Sequence, residues 1–251
     1  MLLEGKRAVI YGAGGSIGGV VARAFAREGA RVFLAGRTLA KLDAVAEQIR
    51  STGGVAHTAQ LDALDQKAVE EHADAVAAEA GRLDISFNLI SHDYVQGTPM
   101  AEMQLDDYLS PVITAVRTTF LAWRAASRHM VRQGSGVILA FGGEGHPVRG
   151  YYLGPLQVTF HAIESMRRQL ASELGAHGVR VVTLRTGGVP ESIPEGAPGR
   201  DVIAAGIEEA TMLGRAATLE DVGNVAAFVA SDRARTMTAA TVNVSGGALV
   251  D

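Results

Sequence analysis

The chain contains no cysteine, one tryptophan and seven prolines among its 251 residues. The lack of cysteine excludes disulfides and thiolate metal sites. Aromatic residues make up only 5% of the chain, no block of lysine and arginine is present, and the formal net charge is −4. This composition gives no electrostatic footprint for nucleic acid or an anionic membrane. We therefore expect a small organic molecule as the partner.

Two further motifs are absent. The first residues contain no basic stretch followed by an apolar run, so we expect no secretory leader and a cytoplasmic protein. The histidines and glutamates form no His-x-x-x-His or His-Glu-x-x-His run. We therefore predict no metal site.

A glycine-rich turn near the start of the chain is the most informative motif that is present. Residues 6–11 form a short apolar run, which breaks into glycines and then continues as an Ala/Val-rich helical stretch. Glycines at such a turn either only allow a tight bend or let the helix N-terminus approach a pyrophosphate, and the strand-turn-helix context favours the second interpretation. The predicted cofactor contacts are Gly12, Gly14, Ser16, Ile17 and Gly18.

The end of the second predicted strand indicates which dinucleotide is bound. An acidic residue at this point would accept hydrogen bonds from the adenosine ribose 2′-hydroxyl. This chain has Gly36 followed by Arg37 instead. Because a guanidinium suits a 2′-phosphate, we predict that NADP(H) is favoured over NAD(H).

The rest of the chain repeats an alternation of strands and helices. The predicted strands are 32–35, 55–61, 85–90, 136–141, 179–184 and 241–244, and the predicted helices are 38–52, 65–80, 103–132, 155–176 and 218–230. Strands that are apolar on both faces and joined by helices indicate a parallel sheet covered on both sides. We predict an α/β fold in which residues 1–251 form one Rossmann-type domain, with a doubly wound parallel sheet of about seven strands and helices on both faces.

The chain resembles the short-chain dehydrogenase/reductase family over essentially its whole length. Gly12 and Gly18 match the family's glycine motif, with Ser16 in place of the middle glycine. Asp62 matches the acidic residue that holds the adenine, and Asn88 matches the first asparagine of the fourth-strand motif. The segments 213–215, 220–222, 231–232 and 242–247 follow the family's C-terminal region. The resemblance implies an oxidoreductase that uses a nicotinamide cofactor.

The family's four catalytic positions hold other residues in this chain. The asparagine position is Ala115, the serine position Gly143, the tyrosine position Leu156 and the lysine position Phe160. Positions 143, 156 and 160 keep the family's spacing, so a misplaced gap does not explain the loss. Because a leucine cannot donate a proton, general acid–base assistance must come from elsewhere or be missing.

Several nearby residues are candidates for a replacement acid. Tyr151 and Tyr152 precede the helix that begins near residue 155, and His146 lies on the loop after the fifth predicted strand. A weaker candidate is the run 92–94, where a His-Asp pair could orient a base. For Tyr151 and Tyr152, loop packing is the alternative interpretation.

Three functions stay open on this basis. The first is an NADP(H)-dependent oxidoreductase with an atypical active site, acting on a small carbonyl, alcohol or enone. The second is a catalytically silent protein that binds the cofactor, and the third is a lyase, isomerase or cyclase on the same fold.

Other parts of the chain give further expectations. The family assembles as homotetramers through the two long helices, so we expect a homotetramer or homodimer. The Pro/Gly-rich segment 190–199 predicts a mobile substrate lid. Charged residues such as Arg31, Lys41 and Arg50 are expected on solvated outer helix faces.

Overall fold

Seven parallel strands form one sheet in the order β3-β2-β1-β4-β5-β6-β7. The computed structural model describes residues 1–91, 93–143, 152–197 and 199–250. The strands are β1 Arg7–Tyr11, β2 Arg31–Gly36, β3 Val55–Gln60, β4 Ile85–Asn88, β5 Gly136–Gly142, β6 Val179–Arg185 and β7 Ala240–Asn243. This confirms the predicted doubly wound parallel sheet.

Helices cover both faces of the sheet. They are α1 Ser16–Arg27, α2 Leu39–Ser51, α3 Gln66–Ala80, α4 Leu105–Gln133, α5 Leu156–Leu174, α6 Arg200–Glu209 and α7 Leu219–Ala230. Helix α1 packs between α2 and α7, and α4 packs between α3 and α5. The predicted helices coincide with α2 to α5 and α7 to within one or two residues.

The side chains of β1 show why the central strands are mostly apolar. Ala8 and Ile10 belong to the core beneath α1, α2 and α7. Val9 and Tyr11 belong to the core beneath α3, α4 and α5. Because successive strand residues point to opposite faces and both faces are covered, apolar residues are favoured at successive positions.

Helix α6 was not predicted from the sequence. This helix begins just after the Pro/Gly-rich segment 190–199 and contains no buried residue, and the side chain of Val202 is 78% exposed. Its apolar residues Ile203 and Ile207 are only partly buried. Because the helix directly follows a Pro/Gly-rich segment, the local sequence indicates a loop there instead. Within the Pro/Gly-rich segment, Pro190–Ser192 form a single 3-10 turn. The proposed lid motion stays a prediction.

The interpretation of these charged residues as solvated helix-face residues was wrong for Arg31, which begins β2 and is half-buried. Lys41 and Arg50 are exposed residues of α2, as expected. Arg50 also uses its guanidinium to donate to the Ala56 carbonyl at 2.7 and 3.1 Å, which joins α2 to β3. Lys41 lines the cavity described below. Local sequence did not show which neighbours approach these side chains.

Candidate cofactor and substrate site

A cavity of about 520 Å³ lies at the carboxyl ends of β1, β2, β4 and β5. Strand order reverses between β1 and β4, and ligands of such sheets bind at this reversal because the two following loops diverge there. Seven of the eight predicted cofactor residues line this cavity. They are Gly12, Gly14, Ser16, Ile17 and Gly18 of the glycine-rich turn, together with Arg37 and Asn88.

The glycine-rich turn is closely packed, which explains its glycines. Gly12 has φ +77°, and a Cβ at this residue would overlap the Leu89 carbonyl of the neighbouring strand end. A Cβ at Gly18 would overlap the Gly12 carbonyl, and one at Gly14 would lie 2.9 Å from the Lys41 Cβ. A larger residue at Gly12 would push against the segment after β4, one at Gly18 would separate α1 from the end of β1, and one at Gly14 would displace α2.

The amino terminus of α1 is suited to an anion. In the described chain its N-cap Gly15 offers no side-chain hydrogen bond, and the first turn contains no acidic residue. The first N–H groups of a helix have no partner within the helix, and together with the helix dipole they favour a negative group. The turn can therefore hold a pyrophosphate between backbone donors.

Two cations lie beside this turn. Arg37 and Lys41 are both exposed and both line the cavity. Gln60 donates from Nε2 to the Arg37 carbonyl at 2.9 Å, which holds the end of β2 in place. Arg37 was predicted from the sequence as a cofactor residue, but Lys41 was not. Lys41 lies here because α2 begins directly after the loop that follows β2.

Asp62 and Asn88 have clear structural roles. Asp62 is exposed and does not line the described cavity, and its Oδ1 accepts from the Leu64 N–H at 2.9 Å. Asn88 lines the cavity but is mostly buried, and its Nδ2 donates to Thr118 Oγ1 and Thr119 Oγ1 at 3.3 and 3.1 Å. These bonds join the end of β4 to α4. Cofactor contact by either residue stays a prediction.

Phe160, which lines the cavity, packs closely against Gly143. A Cβ at Gly143 would lie 2.5 Å from Phe160 Cε2 and 2.7 Å from its Cζ. The ring therefore occupies the space that a side chain at position 143 would need. Positions 143 and 160 are physically coupled for this reason.

The inner wall of the cavity, formed by side chains of β5, α4 and α5, is largely apolar. Leu156 and Phe160 line it together with Phe141, Ile163 and Trp123. Trp123 is only 3% exposed, and its Nε1 has no hydrogen-bond partner among the described residues. Ala115 is fully buried beneath this region. Leu156, Phe160 and Ala115 present no titratable group to a ligand.

Tyr94 was considered from the sequence only as a neighbour of His92 and Asp93. Its side chain lines the cavity and is 38% exposed, and its partial burial raises the pKa of the phenol. A phenol is protonated at neutral pH and can donate a hydrogen bond to a ligand.

Of the three predicted replacement acids, Tyr152 is among the described residues. Tyr152 is 50% exposed, has φ +45°, and is not among the described residues that line the cavity. Its carbonyl accepts from the Gly97 N–H at 3.1 Å. Tyr151 and His146 lie outside the described residues, as does His92. The catalytic role of each residue stays a prediction.

Neither a metal-binding group nor a membrane-spanning helix is found among the described residues. No group of three or more histidine, aspartate or glutamate side chains could hold a metal ion there. No helix in that part of the chain has the length and apolar character needed to cross a membrane.

Known proteins share both the sequence pattern and the fold. A family model described as enoyl-(acyl carrier protein) reductase matches residues 12–248. Gluconate 5-dehydrogenase of Gluconobacter oxydans is 28% identical over 99% of this chain and 96% of its own. D-threitol dehydrogenase of Mycolicibacterium smegmatis is 29% identical over 98% of this chain and 93% of its own.

A solved structure extends the agreement to three dimensions. A short-chain type dehydrogenase/reductase from Mycobacterium marinum superposes with a TM-score of 0.87 at 28% identity, covering 99% of this chain and 97% of that one. The strand order, the glycine-rich turn at the strand-order reversal and these whole-length matches lead to one conclusion. The chain belongs to the short-chain dehydrogenase/reductase family.

Proposed function

We propose that this chain is an NADP(H)-dependent oxidoreductase that acts on a small carbonyl, alcohol or enone with an atypical proton donor. One observation carries the proposal. A single cavity runs from the anion-suited turn and Arg37 to Leu156 and Phe160, the two positions where the family places its catalytic tyrosine and lysine. The cofactor and substrate regions are therefore continuous.

The cofactor, when bound, supplies the hydride. The residues of the chain bind and orient it. Backbone N–H groups at the start of α1 hold the pyrophosphate, and Arg37, with Lys41 beside it, faces the 2′-phosphate. The arginine fork favours the phosphorylated cofactor because a ribose 2′-hydroxyl carries no charge for it to bind.

The proton must come from a group other than Leu156. Tyr152, Tyr151 and His146 are the candidates by sequence, and Tyr94 joins them because it lines the cavity with a protonated phenol. Losing a general acid typically lowers the rate 10²- to 10⁴-fold. We therefore expect Tyr94→Phe and Tyr152→Phe to differ sharply in turnover. The variant that loses turnover but keeps cofactor binding identifies the acid.

The apolar inner wall limits which substrates can bind. Phe160, Leu156 and Ile163 offer packing but no hydrogen bond, so charged substrates would lose hydration without compensation. An uncharged group beside the reacting carbon, such as the chain of an enone, fits this wall. The description of the matching family model as an enoyl reductase supports this substrate class.

The binding test uses the single tryptophan. Trp123 lines the cavity, and its emission overlaps the absorbance of reduced nicotinamide, so bound NADPH should quench it. We expect NADPH to bind at least tenfold more tightly than NADH, and Arg37→Ala to weaken NADPH about tenfold while changing NADH little, as expected for one charge-assisted contact.

The control for this titration is Arg128→Ala, which removes an exposed arginine of α4 outside the cavity. It should leave both affinities unchanged. Equal affinity for NADPH and NADH in the parent protein would contradict the proposed preference. Failure of both to bind at millimolar concentration would remove the basis of the oxidoreductase proposal.

A second candidate function is cofactor binding without turnover. The interlocked Phe160 and Gly143 favour it, because a phenyl ring replaces the ammonium group that would hold the nicotinamide ribose. Turnover measured with a panel of carbonyls and enones separates the two functions. Tight NADPH binding, with no oxidation of the cofactor by any member of the panel, would favour the silent protein.

We also propose that the chain assembles as a homodimer or homotetramer through α4 and α5. Exposed apolar side chains follow the outer faces of these helices, among them Ile113, Phe120 and Val158, which are 57%, 54% and 43% exposed. An exposed apolar stripe of this kind is typical of a protein interface. The α4 and α5 helices of a second copy would cover it.

A further inference from the structure

A second cavity lies at the opposite end of the sheet from the cofactor cavity. It has a volume of about 690 Å³ and lies where β1, β2 and β3 begin and where α1 and α2 end. We call it the basic cavity, because five of its lining side chains are cationic and one, Glu4, is acidic. The five cations are Lys6, Arg7, Arg23, Arg27 and Arg31.

The hydrogen bonds of these cations leave most of their charge uncompensated. Arg23 donates to Gln48 Oε1 at 2.9 Å, Arg27 donates to Asn224 Oδ1 at 2.6 Å, and Arg7 donates to the Gly5 carbonyl. All three acceptors are neutral. Within the described chain, the Arg31 guanidinium makes no hydrogen bond or ion pair.

Lys6 is the exception in this group. Its Nζ lies 3.0 Å from Asp232 Oδ1, and that carboxylate is 83% exposed. An exposed ion pair of this kind contributes little to stability. It also neutralises only one of the five charges.

Within the ranges that the structure describes, carboxylates do not pair with these arginines, although the chain, of net charge −4, has enough of them to do so. Arg7, Arg23 and Arg31 are each half-buried, and burial lowers the pKa of Arg23. The hydrogen bonds of Arg7, Arg23 and Arg27 remain exposed to solvent, so a ligand can reach these groups. Four arginines around one cavity, without a carboxylate partner among the described residues, are the arrangement that an anionic ligand would stabilise.

We propose that the basic cavity binds a small multivalent oxyanion, carrying phosphate or carboxylate groups, through Arg7, Arg23, Arg27 and Arg31. This site is separate from the cofactor site. Strand β1 lies between them, with Arg7 at one end and Tyr11 next to Gly12 at the other, a span of about 15 Å at the usual rise per residue. Ligand binding here does not require that the proposed oxidoreductase activity be correct.

The experiment is protection from arginine modification. The whole chain is treated with phenylglyoxal, with and without inorganic pyrophosphate, at constant ionic strength, and the modification rate of each arginine is followed by peptide mass spectrometry. We expect pyrophosphate at ten times its dissociation constant to slow modification of Arg23 and Arg31 about tenfold. Arg128, exposed on α4, is the internal control and should be unaffected.

The same data distinguish the two sites and the two ligand sources. Arg37 reports the cofactor turn, where pyrophosphate is also expected to bind. In an Arg31→Gln variant, protection of Arg23 should fall while that of Arg37 is kept. Citrate in place of pyrophosphate shows whether carboxylates are accepted. Unchanged rates at Arg23 and Arg31 with both anions, or equal slowing by sodium chloride of the same ionic strength, would overturn the proposal.

Discussion

At the residue scale, the pair Gly143 and Phe160 decides the character of the inner cavity. The Phe160 ring fills the space that a side chain at position 143 would occupy. A side chain there therefore requires the ring to move or to be removed.

This contact predicts a strong coupling between the two positions. Gly143→Ser alone should lower the free energy of unfolding by about 1–3 kcal/mol, because the new side chain overpacks against the ring. In a Phe160→Ala background the same serine should cost less than about 0.5 kcal/mol. Urea unfolding of the four proteins gives the coupling energy.

Gly175→Ser is the matched control for this cycle. Gly175 has φ −56°, and no heavy atom lies within 4 Å of the Cβ that would be added there. Its cost should be small and the same with or without Phe160. Equal costs of Gly143→Ser in both backgrounds would show that the ring moves aside freely.

At the element scale, α5 is anchored to the sheet by one carboxylate. Glu164 accepts from the Arg167 guanidinium at 2.9 and 3.2 Å, from Thr241 Oγ1 at 3.2 Å on β7, and from Thr183 on β6. Burial acts to raise the pKa of Glu164, but the bonds from Arg167, Thr183 and Thr241 outweigh it and leave the pKa below its usual value. Helix α5 carries Leu156 and Phe160, so this anchor also positions the cavity wall.

Breaking the anchor should be costly. Glu164→Ala leaves the Arg167 guanidinium buried without its carboxylate, and we expect a loss of about 3 kcal/mol in the free energy of unfolding. A second change, Arg167→Met, should recover much of that loss because it removes the unpaired charge. Chemical denaturation of both variants tests this. A double variant no more stable than Glu164→Ala would contradict the buried-charge explanation.

The element boundaries were predictable where an element buries one or both faces. The central strands and α2 to α5 follow from runs and periodicities that burial demands. Helix α6 does not, because none of its residues is fully buried and it directly follows the Pro/Gly-rich segment.

At the scale of the whole molecule, the apolar stripe on α4 and α5 predicts self-association. Phe120→Glu places a charge in the centre of that stripe and should convert the dimer or tetramer to monomers. Sedimentation velocity measures this directly. Val202→Glu is the control, since Val202 is 78% exposed on α6 and its change should leave the assembly intact. A monomeric parent protein, or a Phe120→Glu variant that stays associated, would rule out this interface.

The sequence by itself determined the family, the parallel sheet and the anion-suited turn. These depend on local signals: the glycines of a turn, the apolar strands on either side of it, and the order in which they recur. The position of Arg37 in the cofactor cavity was predictable for the same reason, because Arg37 directly follows β2.

Only the tertiary structure decided which residues from distant segments share a cavity. Lys41 and Tyr94 line the cofactor cavity, Phe160 packs against Gly143, and arginines of β1, α1 and β2 line the basic cavity. Such groupings depend on how helices pack across strands that are far apart in the chain. No spacing within a single segment encodes them, because the contacts arise from the sheet order and the packing of its two faces.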